Sequence, residues 1–405
     1  MYDITAIPPE IWQDIFTLAC TDGGRTGISL ALSCKFFHFQ SSRVRFHSVV
    51  LSSIVSLERF LAFARTRPDD QKPLIRHLSL TLLPSSASQV HTVLFHRDYN
   101  PRDGALVGEA LHTRFTSAAN ELFVMVAPTL RTLCLTTEYS HTFAPFPCDM
   151  PMLEELTMMG SISAMAGPNR PRLPALKRFH LIPQSADADI QELATALTAS
   201  ALCAAPLTHL RLSQIYDLQR PNLSLVLART LSVPEHLAPG GTEDNSTPAP
   251  GHQVPVTLAH VHEVIVQTII PDLGWCGNAY FGYWRETLAF EGFVQACNDV
   301  QGLHVLAVPR KQQNFRWRER LYGDWVDRIE GGRGCWIRVA EEEEALEKLV
   351  ERDGDDDPSI EDGWDADELE EAIGRMEQQG ICGGVVSLTN TGTCDFCSPC
   401  RLTTS

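Results

Sequence analysis

No uninterrupted stretch of about 18 apolar residues occurs in the sequence, the length a helix needs to cross a bilayer, so a membrane-spanning helix is excluded. Asp3 and Glu10 stand where a secretory leader would need basic residues and an unbroken apolar run, so no leader is expected. The motifs of common catalysts are missing as well. The nearest approach to a phosphate-binding loop, Asp22 to Gly27, has glycines but neither the lysine nor a preceding strand, and reads as a turn. In Gly160-Ser161-Ile162-Ser163-Ala164 an isoleucine occupies the place a nucleophile elbow gives to serine. His260, His262 and Glu263 do not make the His-Glu-x-x-His of a zinc protease. Asp353, Asp355 and Asp357 fit the first, third and fifth positions of a calcium loop, but Pro358 replaces its glycine and Trp364 its final glutamate. With these absences no catalytic residue and no resident cofactor is expected.

Paired cysteines are also lacking. The twelve cysteines fall at irregular spacing, which in a chain this long reads as reduced thiols of a cytosolic or nuclear protein. The one dense group is Cys394, Cys397 and Cys400, with Cys382 some way upstream. A triplet plus one outlier falls short of two well-spaced Cys-x-x-Cys pairs, so these are weak metal candidates and no metal is expected.

The net charge of −17 is concentrated in one place. Eighteen acids against three bases lie between Glu341 and Glu377, which leaves the rest of the chain close to neutral. That pattern is a charged tail on a neutral body and argues against a nucleic-acid surface. The tail from 341 to 405 is expected to be largely disordered.

What the chain does have begins at its start. Pro8 and Pro9 suit the first positions of a helix. Ile11, Ile15, Leu18 and Ala19 follow at helical spacing, with Trp12 and Phe16 as a second apolar row. One short helix cannot hide both rows, so one faces a neighbour or a partner. A second helix is expected from Thr26 to Phe37 and a third from Ser41 to Phe46. At 51–340 a motif recurs: Pro73 leads Leu78 and Leu80, Pro128 leads Leu130, Leu133 and Leu135, Pro151 leads Leu153, Leu156 and Met158, and Pro174 leads Leu176, Phe179 and Leu181. Pro206 leads a shifted copy with Leu207, Leu210 and Leu212, and Val261, Val264 and Val266 are a looser one. Apolar residues two apart lie on one side of a strand. Strands that return at a short, regular period are the mark of a repeat array. Between strands, Leu57, Phe60, Leu61 and Ala64, and likewise Ile190, Leu193 and Leu197, are spaced as helices. A flexible loop is expected at about 233–255, and a further helix from Phe315 to Glu330 stopped by Gly331-Gly332.

The segment at 1–50 resembles an F-box. Ile7, Pro8, Glu10, Ile11, Ile15 and Phe16 match the family's opening, Ser29 to His38 its leucine-rich second part, and Val44 to Leu51 its exit. The array behind resembles the irregular leucine-rich repeats that often follow an F-box, and the whole is similar to F-box-like proteins of mushroom-forming fungi. Two features depart from the family pattern: the link from Asp22 to Gly27 is long, and the repeats lack the usual asparagine, its place being taken by Glu138, Ser161, Gln184 and Ile215. The resemblance implies an α/β chain in three parts: an F-box at 1–50, an irregular leucine-rich-repeat-like solenoid at 51–340, and the acidic tail. It implies docking on a Skp-type adaptor, and through it a cullin, by Ile7, Pro8, Glu10, Ile11, Ile15, Phe16, Leu30 and Leu32. The function implied is substrate recognition for an SCF-type ubiquitin ligase; a binding scaffold with no role in ubiquitination stays open beside it. No enzyme activity of the chain's own is implied.

If the leucines of the repeats face inward, the residues between them face the other way. Arg178, His180, His209 and Arg211 then form a basic cluster on an open face, a candidate for capturing an acidic or phosphorylated protein target.

Overall fold

Each leucine motif places its apolar residues on one side of an extended chain, and in the computed structural model each is a strand. The structure describes residues 7–68, 72–82, 101–137, 146–160, 171–183, 205–215, 223–231, 233, 258, 260–268, 288, 290–299, 303–309 and 317–336. Eight strands, β1 (Ser48–Leu51), β2 (His77–Leu82), β3 (Thr132–Thr137), β4 (Glu155–Met159), β5 (Arg178–Ile182), β6 (His209–Ile215), β7 (Glu263–Thr268) and β8 (His304–Pro309), form one sheet in chain order. The pairs from β3 to β8 are parallel, so each connection must return the chain to the same end of the sheet. The architecture is α/β.

By its contacts the chain divides into two units, one drawn from Met1–Leu51, Val55–Leu78 and Gly323–Ser405, the other from Ser52–Ile54 and Ser79–Tyr322. In the second unit the register lines up the repeats. Leu133, Leu156, Phe179, Leu210, Val264 and Val305 stand side by side across six strands, and Leu135, Met158, Leu181, Leu212 and Val266 make the next row. All eleven are buried. Truncating one such leucine to alanine costs about 2–5 kcal/mol, so the two rows are the main cohesive element of the unit. The residues that lead into the strands are joined by a main-chain ladder. The carbonyls of Arg131, Glu154, Lys177, Thr208 and His262 accept from the N–H groups of Glu154, Lys177, Thr208, His262 and His304 in turn, at 2.8–3.1 Å.

Among the described strands β8 is the last of the sheet. His304 donates its N–H to the His262 carbonyl, so the main chain of His304 faces β7 and that of Val305 faces outward. The Asn298 side chain, at the end of the helical residues 290–298, donates to the Val305 carbonyl at 2.9 Å and accepts its N–H at 2.7 Å. At that position Asn298 takes the place of a neighbouring strand.

In the first unit, helices α1 (Pro9–Ala19), α2 (Arg25–Ser33) and α3 (Lys35–Ser41) precede β1, and α4 (Ile54–Arg65) follows it. The Pro8 carbonyl receives the first free N–H groups of α1, from Ile11 and Trp12. Both later helices differ from the sequence expectation. α2 begins at Arg25, after Gly24 in a left-handed conformation (φ 107°), and the Asp22 carboxylate accepts from the Thr26 N–H (2.9 Å) and hydroxyl (2.7 Å). The link expected from Asp22 to Gly27 is correspondingly short. α2 then stops at Ser33 instead of running to Phe37. Cys34 is extended, and its sulfur accepts the Phe37 N–H, which starts α3 at Lys35; α3 ends at Ser41, and the segment expected as a third helix from Ser41 to Phe46 is turn beyond Ser41. The break turns Phe36 and Phe37 toward α1. Gly27 lets α2 lie against the following segment: a Cβ there would overlap the Arg45 carbonyl.

The helical pattern of Leu57, Phe60, Leu61 and Ala64 is α4, with all four buried. Three more helices are α5 (Pro101–Val126), α6 (Leu223–Leu231) and α7 (Trp317–Ile329). α7 lies within the helix expected at 315–330, with Leu321 and Trp325 buried, and Gly331, with φ +97°, follows shortly after its end at Ile329. No described helix is long and apolar enough to cross a membrane. Ile190, Leu193 and Leu197, the loop at 233–255 save Val233, and the acidic tail lie outside the described residues.

Candidate functional site

Two sites were expected from the sequence, and the structure treats their residues unequally. On α1, Trp12 and Phe16 turn inward and meet Phe36 and Phe37 of α3. Ring centroids lie 5.5 Å apart for Trp12–Phe16, 5.2 Å for Trp12–Phe37 and 5.5 Å for Phe16–Phe37, the last edge-to-face. Such pairs add about 0.5–1.5 kcal/mol each beyond their area. The other row of α1 has no such cover: Ile11 is 49% exposed, Ile15 43% and Leu18 79%. With Ile7 before them, these residues form one exposed apolar stripe along the helix. Pro8, Glu10 and Leu32 are also exposed, while Leu30 is half-buried.

Phe16 is a correction. Expected on the docking face, it is 3% exposed and sits in the aromatic core, because the break at Cys34 supplies Phe37 as its partner. Leu18 on α1 and Phe39 on α3 are strongly exposed as well, and neither was among the expected docking residues. Leu18 lies at helical spacing from Ile11 and Ile15, a signal the sequence carries.

The basic cluster is the second correction. The register does set Arg178, His180, His209 and Arg211 on neighbouring positions of β5 and β6, Arg178 beside His209 and His180 beside Arg211. The face they share is not open: His180 and Arg211 are buried, at 1% and 0% exposure. Only Arg178 and His209 reach solvent, and both have acidic neighbours. Arg178 lies 3.8 Å from Glu155, and His209 lies 3.5 Å from Glu263 with its ring against His262. Burial pulls His209 below the usual imidazole range despite Glu263. A net basic patch is therefore absent among these described side chains.

The buried half of that cluster is a network in its own right. Arg211 donates through Nε to the Ser213 hydroxyl (3.2 Å) and through Nη2 to the Gln267 side-chain Oε1 (3.2 Å). Ser213 Oγ lies 3.0 Å from His180 Nε2. Burial, then the guanidinium groups of Arg211 and Arg320, hold His180 well below the imidazole range, so its ring is neutral at pH 7. Ser213, Gln267 and Arg320 were not singled out by the sequence. For Ser213 and Gln267 the signal is parity: with Arg211 they fall on the side of the strands opposite the leucine rows.

No group of three or more metal-ligating side chains exists among the described residues; Cys382, Cys394, Cys397 and Cys400 lie outside them. Comparison with protein-family models, with curated proteins and with solved structures finds no match to this chain.

Proposed function

We propose that the protein is a substrate-recognition subunit of an SCF-type ubiquitin ligase, acting in the cytosol or nucleus and performing no catalysis itself. Its N-terminal helices dock on a Skp-type adaptor, and through that on a cullin. The repeat region, an irregular leucine-rich-repeat-like solenoid, holds the protein target near the ubiquitin-carrying enzyme, where the tether raises effective concentration. One observation carries the reading. Ile7, Ile11, Ile15 and Leu18 are exposed along one side of a helix whose other side is fixed by Trp12 and Phe16. Solvent-facing apolar side chains in a row are what a helix-in-groove contact requires. Burying each contributes about 1.5–3 kcal/mol before association costs, enough for a few anchors to hold an interface. The resemblance of the N-terminal segment to an F-box names the groove. The chain-ordered strands of the second unit support the repeat half.

The test is capture of a purified Skp-type adaptor by the full chain, compared with Ile11→Asp plus Ile15→Asp. Both side chains are exposed, so the doubly substituted chain is expected to fold as the natural one does and to lose capture by at least about a hundredfold, two lost anchors of more than about 1.4 kcal/mol each. Equal capture by both proteins, or by neither, removes the reading.

A further inference from the structure

Three departures from an ordinary sheet interior coincide on the polar side of β5, β6 and β7. The pairing of β6 with β7 shifts between Leu212 and Ile215, in the stretch that holds Ser213, whose hydroxyl accepts from Arg211 Nε while Arg211 Nη2 donates to the Gln267 side-chain oxygen. Bulges are over-represented where a strand re-aims a side chain toward a functional site. Gln267 is wholly buried, and its amide nitrogen has no hydrogen-bond partner; a buried donor left so calls for an acceptor. The charges that act on His180 are cationic, those of Arg211 and Arg320. The side chains of His180, Arg211, Ser213, Gln267 and Arg320 are all more than nine-tenths buried.

We propose that this cluster binds an oxyanion, a carboxylate or a phosphate, with the Gln267 amide and the Arg211 guanidinium as donors and Arg320 adding charge. Arg211 and Arg320 each have further interactions, so the donor the cluster offers first is the Gln267 amide, held in place by its bond from Arg211. An arginine fork beside an amide N–H₂ matches the two-oxygen edge of either anion. A cation is repelled by the two guanidinium groups, and an apolar ligand would leave the amide as it is. The proposal does not depend on the docking stripe of α1.

The experiment is thermal unfolding of the full chain at matched ionic strength in sodium chloride, sodium phosphate or sodium acetate. It is run on the natural chain, on Gln267→Met, which keeps the side-chain length and removes the amide, and on Gln267→Glu, which supplies a carboxylate of its own. Phosphate, acetate or both raise the midpoint of the natural chain by several degrees over chloride. Apparent affinity falls at least tenfold in Gln267→Met, and the response vanishes in Gln267→Glu. Phosphate alone assigns a phosphate ligand, acetate alone a carboxylate. An equal response in the natural chain and in either folded variant overturns the proposal. So does no response to either anion up to about 50 mM, which would mean that the amide holds a buried water only.

Discussion

Phe16 and Ile15 are chain neighbours with different surroundings: one is packed against Trp12 and Phe37, the other is 43% exposed. Phe16→Ala should lower the unfolding free energy of the N-terminal unit by about 3–5 kcal/mol. Ile15→Ala should change it by no more than about 0.5 kcal/mol. Denaturant melts followed by tryptophan fluorescence separate the two, and similar losses for both would mean that the stripe is covered. His180 gives a second expectation at this scale. Its folded-state pKa lies well below the unfolded value near 6.5. In that window the unfolded chain binds a proton that the folded chain refuses, so the contribution of His180 to stability is complete above about pH 6.5 and is lost as pH falls below it. The slope from one such group is at most about 1.4 kcal/mol per pH unit. His38 and His209 are shifted the same way, so melts between about pH 7 and pH 5 are to be compared with those of His180→Gln, whose curve should be flatter by one proton. Both apolar rows of α1 are plain in the sequence. Which row is buried is not, because the partners of Trp12 and Phe16 come from α3, beyond an intervening helix, and reach them only through the break at Cys34.

Among the elements, α2 depends on one small residue. Gly27→Ala puts a methyl group into the Arg45 carbonyl, and overpacking of this kind costs about 1–3 kcal/mol. In an exposed helix the same exchange would stabilise, since alanine is the better helix former. A melt of Gly27→Ala therefore gives a sign: destabilisation is expected, and a rise in midpoint would mean that α2 stands away from that carbonyl. The strands were the most legible elements, because Leu-x-Leu two apart has only one reading in a run bounded by turns. The long helix α5 was less so. Phe115, Ala118, Ala119, Leu122, Phe123 and Val126 are buried at helical spacing. A helix of 26 residues, however, exceeds what so short a repeat leaves between its strands. The period alone does not announce it.

Across the whole sheet, register was legible where the period is constant. Pro128, Pro151 and Pro174 stand at equal intervals, and so do Thr132, Glu155 and Arg178, which pair across β3, β4 and β5. Beyond Arg178 the intervals lengthen, and there the hydrophobic frame Leu210, Val264 and Val305 alone keeps the alignment. The burial of the polar side was not legible, since a strand's alternation tells which residues share a side and not whether that side is covered. At the far end of the sheet, Asn298 answers the outward main chain of Val305, and Pro309, two steps further along the same edge, has no N–H to offer. A stack of parallel strands has no length written into it, and the same pairing that joins β7 to β8 could recruit another molecule and another after it. Among the described residues a single amide and a single imino acid stand at that edge. Asn298→Ala should leave a monomer at low concentration that grows into larger species as concentration rises, visible by light scattering, whereas the natural chain stays one size over the same range.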